Sequence, residues 1–170
     1  MATYTNIKKA FFALSPKEQE AMFKEIYGFS KDMKSFLDIR LVGDGEEEYI
    51  KQIKKASESV TSKGTPKTIQ VQKVNAILTK AKKSKVSKKT LCEMEWIAFD
   101  GYVTFLDDYG DGPEIYYDKV YSHLENYLFL ISKIYTAQEE EKKIEEVKIY
   151  IKKHKNMYCD GLWELLEDDI

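Results

Sequence analysis

LCEMEWIAFDGYVTFLDDYGDGPEIYYDKVYSHLENYLFLISKI, residues 91–134, decides the fold. Leu91, Met94, Ala98, Gly101, Tyr102, Phe105 and Tyr109 recur in three- and four-residue steps, and so do Val120, Leu124, Tyr127, Leu128, Ile131 and Ile134, led by Ile115. Apolar side chains at that spacing fall on one side of a helix, so each half of the stretch predicts a long amphipathic helix. Only Asp107-Asp108-Tyr109-Gly110-Asp111-Gly112-Pro113 lies between them. A connection that short predicts an antiparallel helical hairpin.

The same pattern extends to both sides. Upstream, Ser15-Pro16-Lys17-Glu18 has the composition of a capping box with proline in the first helical turn, and Met22, Phe23, Ile26 and Tyr27 supply an apolar face up to Gly28. Ser30 opens a further helix with Met33, Phe36, Leu37 and Leu41, stopped by Gly43-Asp44-Gly45. Ile7, Phe11 and Phe12 predict a shorter helix packed on that pair. Glu46, Glu47 and Glu48 complement the positive end of a helix dipole ahead of Tyr49, Ile50, Ile53 and Ala56. Residues 57–68, rich in Ser, Thr, Lys and Gly and containing Pro66, predict a flexible loop. Helical spacing then resumes at Val74, Ile77, Leu78 and Ala81, although Ile69-Gln70-Val71 alternates as a short strand would. Downstream, residues 138–154 predict a helix burying Ile144, Val147 and Ile151. The cluster Leu162, Trp163, Leu165 and Leu166 predicts a last short helix. The expectation is an all-α single domain over residues 1–170, a bundle of about seven or eight helices around the long hairpin. At this size a chain buries roughly 70% of its unfolded surface without help from metal or disulfide.

Charge is sorted along the chain. Residues 51–89 hold twelve lysines against Glu58 alone, and residues 90–141 hold twelve acids against Lys119 and Lys133, while the whole chain is only −2. Such a field steers a polyanion to one face or pairs with a complementary surface, within the chain or between chains. Cys92 and Cys159 are the only cysteines and make no disulfide framework. Met1 to Ala13 holds no apolar run of signal-peptide length, and no stretch reaches the roughly 18 apolar residues of a membrane span. A cytoplasmic protein is the expectation.

The strings Leu14-Ser15-Pro16-Lys17-Glu18, Ile26-Tyr27, Phe36-Leu37 with Arg40-Leu41, Asp108-Tyr109-Gly110-Asp111 and Tyr116-Tyr117 resemble those of a family of small bacterial proteins of unknown function, thought to be all-helical. The likeness covers roughly residues 10–50 and 91–136. It implies a helical fold and no particular activity.

Candidate sites are few. Asp107, Asp111 and Asp118 occupy places one, five and twelve of an EF-hand-like frame with Gly112 sixth, but Tyr109 stands where a ligand is needed and Asp118 is shorter than the usual bidentate glutamate. The stretch reads as an acidic turn in which Asp111 caps the following helix. His123, His154, Cys92 and Cys159 have no zinc-ligand spacing. His123 reads as a core histidine with a hydrogen bond inside, and both thiols as structural. Arg40, the sole arginine, suits a carboxylate or phosphate, and more simply an ion pair with Asp38, Glu46 or a neighbouring helix. Glu93 and Glu95, or Asp107 and Asp108, point to different sides of a helix and make no acid–base pair. Tyr102, Tyr109, Tyr116, Tyr117 and Tyr121 either pack in the core or line a pocket around residues 102–121. No phosphate-binding glycine loop or dinucleotide fingerprint occurs, and no cofactor is expected.

Lys80, Lys82, Lys83, Lys85, Lys88 and Lys89 form the remaining cluster, a contact for a polyanion or for a protein partner. The acidic remainder of the chain and the lack of arginine weigh against nucleic acid. A non-catalytic protein-interaction or scaffolding module, with a homodimer as one form of it, is the leading reading of the sequence. A nucleic-acid-associated protein using residues 80–89 is the first alternative, and an enzyme with a site near residues 102–121 the second.

Overall fold

Why the first three helices start where they do is visible in their first turns. In the computed structural model, which describes residues 1–154 and 159–167, Thr3 caps α1 (Tyr4–Ala13) by accepting from the Asn6 amide. Ser15 and Glu18 close a full capping box on α2 (Pro16–Gly28), with the Ser15 amide donating to the Glu18 carboxylate at 2.8 Å. Ser30 accepts from the Met33 amide at 3.1 Å to start α3 (Lys31–Leu37). The helix expected to continue to Leu41 instead widens into a π-helical turn, Asp38–Val42, which buries Ile39. Such a bulge reorients a helix by one inserted residue.

The chain divides after Gly45 into two compact units. The second unit contains α4 (Glu46–Ser57), α5 (Val71–Ser84), α6 (Lys88–Tyr109), α7 (Glu114–Ile134), α8 (Ala137–Lys152) and α9 (Cys159–Glu167). The fold is all-α: among the described residues there are nine α-helices and no strand, one more helix than the upper sequence expectation. Ile69 and Gln70, the start of the suspected strand, are irregular, and Val71 opens α5. Ile69 has its side chain buried, and its alternation with Val71 reflects a docked loop end rather than sheet pairing.

The hairpin α6–α7 is the axis of this unit. Phe105 and Tyr102 meet Tyr116, while Glu95 meets His123 and Trp96 meets Tyr127, so numbers rise on one helix as they fall on the other. Gly110, at φ 72°, ends α6 in the left-handed region where glycine is unstrained. Helix α4 crosses α6 at Gly101, where a Cβ would stand 2.5 Å from the Ser57 carbonyl oxygen. A bare Cα is what lets the two backbones approach. Helix α5 packs beside α4 and α6, α8 returns along α7, and α9 closes against α8 and α7.

The 57–68 segment is tied down rather than loose. Ser57 ends α4, Val60 and Pro66 form an isolated bridge, and the Lys67 ammonium donates to the Lys55 carbonyl at 3.1 Å and to Glu58 at 3.2 Å. The hydroxyls of Tyr109 and Tyr116 donate to the carbonyls of Ser59 and Ile69 at 3.3 Å and 2.7 Å, fastening both ends of this connection to the hairpin.

A candidate interaction surface and the charged sites

The first unit has the apolar spacing of a core without the burial of one. Among residues 1–45 only Ile39 is buried. In α1, Tyr4, Ile7, Phe11 and the capping Leu14 fall on one side, yet Ile7 is 58% exposed and the neighbouring Phe12 67%. In α2, Met22, Phe23, Ile26 and Tyr27 are all exposed. Gln19 joins the two helices by donating from its side-chain amide to the carbonyls of Leu14 at 3.0 Å and Phe11 at 3.4 Å. Between them opens a groove of about 560 Å³, lined by Tyr4, Ile7, Phe11, Leu14, Met22 and Ile26, with Lys8 at its edge. The packing of Ile7 and Phe12 expected from spacing is therefore incomplete inside this unit.

The lysines of 80–89 do not form one face. Lys80 lines a shallow groove of about 360 Å³ with Lys55 and Lys73, between α4 and α5. Lys82 reaches Glu95 at 3.3 Å. Lys85 adopts φ 55° to cap α5, and Lys88 and Lys89 begin α6. Lys83 is exposed in the last turn of α5. The junction is held from elsewhere: Glu46 accepts from the Ser87 amide at 2.5 Å, the Ser87 hydroxyl at 2.7 Å and the Thr90 hydroxyl. Burial pushes the Glu46 carboxyl up, but these hydrogen bonds outweigh it and hold the group below the ordinary carboxylate range. Glu46 is thus engaged by α6, and Arg40 is exposed on its π-helical turn.

Within the hairpin lies a buried hydrogen-bonded pair that the residue pattern only half anticipates. His123 is 3% exposed and its Nδ1 lies 2.6 Å from Oε2 of Glu95, itself 1% exposed. Lys82 supplies a countercharge from the rim, at ion-pair distance from Oε1 but not aligned as a hydrogen bond. The Tyr102 ring stacks on His123 at 5.7 Å, and burial, with Tyr116 nearby, pushes its hydroxyl up. The signal for Glu95 was its spacing: Ala98, Phe99 and Tyr102 lie three, four and seven residues on, so a carboxylate interrupts an apolar face.

The acidic turn does not converge on a point. Asp107 is a hydrogen-bond partner of His154 Nδ1, Asp111 accepts from the Gly112 amide at 2.6 Å and the Tyr117 hydroxyl at 2.9 Å, and Asp118 is exposed on α7. Asp111 does not cap α7: Pro113 stands at the cap position, with no side-chain bond, because Asp111 turns back to its own neighbour and to Tyr117. Among the described residues no three His, Cys, Asp or Glu side chains group as metal ligands.

A cleft of about 440 Å³ on α6, α7 and α8 is lined by Cys92, Trp96, Tyr127, Lys143, Glu146 and Tyr150 among others. Burial pushes the Cys92 thiol up to about 11, so it is held as a neutral thiol at neutral pH, a poor nucleophile. The two histidines bind Glu95 and Asp107. Burial holds His154 below the ordinary imidazole range, with Asp100 pulling the other way. The side chain of Cys159 lies outside the described residues. Tyr102 and Tyr116 pack edge-to-face in the core at 5.0 Å, Tyr109 and Tyr117 spend their hydroxyls on Ser59 and Asp111, and Tyr121 packs against Gly161. No helix among the described residues is long and apolar enough to cross a membrane.

No family model, curated protein or solved structure matches the chain.

Proposed function

We propose that the protein is a non-catalytic protein-interaction module whose working surface is the α1–α2 groove. One observation carries this: a 45-residue helical unit with amphipathic spacing throughout buries a single side chain of its own. Units of this size are at the edge of what a single core stabilises, and unburied stripes of large apolar side chains mark binding faces. A groove between two helices with an apolar floor suits the apolar side of a third helix, whose anchors recur at three- and four-residue steps. Catalysis finds less support, since the buried thiol stays neutral and the tyrosines of residues 102–121 are spent on packing and loop contacts.

Lysine-reactive cross-linking in cells tests the reading. Cross-links from Lys8, Lys9 and Lys24 to another polypeptide are expected, and they should vanish with Ile7→Glu plus Met22→Glu. Intermolecular cross-links confined to lysines beyond Gly45 would sink it.

A second reading, polyanion binding, gains from α5 rather than from residues 80–89 as a block. Helix α5 holds no acid, and Lys73, Ala76, Lys80 and Lys83 share one side of it beside Lys55 of α4. DNA binding that disappears in moderate salt and with Lys73→Gln plus Lys80→Gln would carry that reading.

A further inference from the structure

We infer that the occupant of the α1–α2 groove is the same unit of a second copy of this chain, so that two helical pairs close over one another as a symmetric dimer. This inference rests on the docking reading above and names its partner.

The groove has no cover within its own unit. Its floor is apolar from both helices, so the mate must bring an apolar stripe of comparable size. In the C-terminal unit the exposed large apolar side chains among the described residues are Val60 in a loop, Ile115 and Phe129 toward opposite ends of α7, and Ile149 on α8. Scattered single residues of that kind are normal surface and make no stripe. The N-terminal unit exposes twelve large apolar side chains, from Met1 to Val42. The surface with matching composition is therefore the unit itself.

Charge permits the pairing. Residues 1–45 hold seven Lys and Arg against six Asp and Glu, so two copies bring nearly neutral faces together. The segments 51–89 and 90–141, at twelve lysines to one acid and twelve acids to two lysines, would each repel their own kind across a two-fold axis. Geometry permits it too. In an isologous contact each copy supplies both halves, here the groove and the exposed Phe23 and Tyr27 of α2, which lie outside its lining, so one unit satisfies both. Availability adds a last constraint. A unit that buries one side chain needs its cover while it folds, and a second copy is the partner present at matched concentration whenever the chain is made.

The experiment uses the purified full chain, light-scattering mass after size exclusion, and cross-linking of mixed ¹⁴N and ¹⁵N protein. A mass of twice 19.9 kDa is expected at low and high salt alike, with light-to-heavy cross-links joining Lys8, Lys9 and Lys24. Ile7→Glu should raise the dissociation constant by at least about 100-fold, since symmetry makes each change count twice. Phe129→Glu should leave it unchanged. Hydrogen exchange on the unsubstituted chain needs no variant: amides of α1 and α2 should be protected at concentrations where the dimer forms and lose protection on dilution to monomer. A dimer that survives Ile7→Glu, or α1 and α2 protection indifferent to dilution, overturns the inference. So does a monomer at every concentration. In that case cross-links from Lys8 and Lys24 to a different polypeptide in cells leave the docking reading standing, and their absence removes both.

Discussion

Met1–Gly45 and the unit that begins at Glu46 are written with the same apolar residues at the same helical spacing, yet one buries a single side chain and the other builds a core around Tyr102, Phe99, Leu124 and Ile131. The difference lies in how many stripes face one another. Helices α4, α5, α8 and α9 surround a 22-residue helix and a 21-residue helix lying antiparallel, so each stripe meets two or three others. Helices α1 to α3, at 10, 13 and 7 residues, leave α1 touching α2 mainly through Gln19 and the turn. Amphipathic spacing reports that a face wants cover. It does not report which molecule supplies it.

The sharpest way to probe this contrast is to remove a group whose burial only the larger unit makes possible. Glu95→Ala strands His123 in the core and takes the countercharge from Lys82. Loss of one partner from a buried pair costs about 3–5 kcal/mol, to be read from urea unfolding followed by Trp96 fluorescence. Replacing both members, Glu95→Leu with His123→Leu, should recover most of that loss, because well-packed apolar side chains replace the pair without burying charge. Recovery failing entirely would mean the pair itself, and not its completeness, holds the hairpin. Ile26→Ala in the exposed groove should leave the same unfolding curve in place.

A middle-sized effect tests the crossing of α4 on α6. In Gly101→Ala the new methyl meets the Ser57 carbonyl at 2.5 Å and the Ser57 Cβ at 2.6 Å, both belonging to backbone or its first carbon, which cannot swing away. The helices must separate, at a cost of about 1–3 kcal/mol. The comparison within the chain is Gly28→Ala, where nothing lies within 4 Å of the added carbon. That substitution should be neutral or slightly stabilising, since alanine is the better helix former. Thermal melts of both variants give the answer, and a Gly101→Ala melt matching the parent would show that the crossing is looser than the packing implies.

How much of this was open to sequence reasoning depends on whether the cause is local. Caps at Ser15 and Ser30, the start of α4 at Glu46, and the hairpin stripes apart from Ile115 follow from residues within one or two turns and fall where expected, whereas Ile115 is exposed. Alternate spacing also puts Glu93 and Glu95 on different sides of the helix, and the structure adds that Glu93 is exposed and Glu95 buried. The π-helical turn at Asp38–Val42 was not legible, because one inserted residue leaves the apolar spacing nearly unchanged. Nor was the fastening of residues 58–70, which depends on tyrosine hydroxyls 47 and 50 positions away along the chain. The lysines of 80–89 were legible as exposed charge, but their dispersal over a helix end, a left-handed cap and a helix start was not. As for the groove, Ile7, Phe11, Met22 and Ile26 of its lining were readable as apolar, and the exposure of Ile7, Met22 and Ile26 was not.

The smallest effect compares two carboxylates that do similar work at different range. Glu18 accepts from Ser15, three residues away, and Glu46 accepts from Ser87 and Thr90, 41 and 44 residues away. Side-chain and backbone hydrogen bonds from Ser15 hold Glu18 below its ordinary range, and for Glu46 the hydrogen bonds from Thr90 and Ser87 do so against the upward push of burial. A carboxyl whose folded pKa is depressed contributes stability that is complete above its unfolded value and disappears as pH falls through the folded one. The acid limb of the stability curve should therefore carry both groups, in the window below the ordinary value of 4.5. Glu46→Gln should cost about 1 kcal/mol at pH 7 and much less at pH 2, where the native carboxyl is itself protonated, so the acid limb flattens. Glu18→Gln should leave unfolding of the larger unit alone, because its hydrogen bonds close one turn of α2 and join nothing else. An acid limb unchanged by Glu46→Gln would mean that the α4 start and the α6 cap hold together without the carboxylate, and the contrast between a local cap and a long-range clasp would fail.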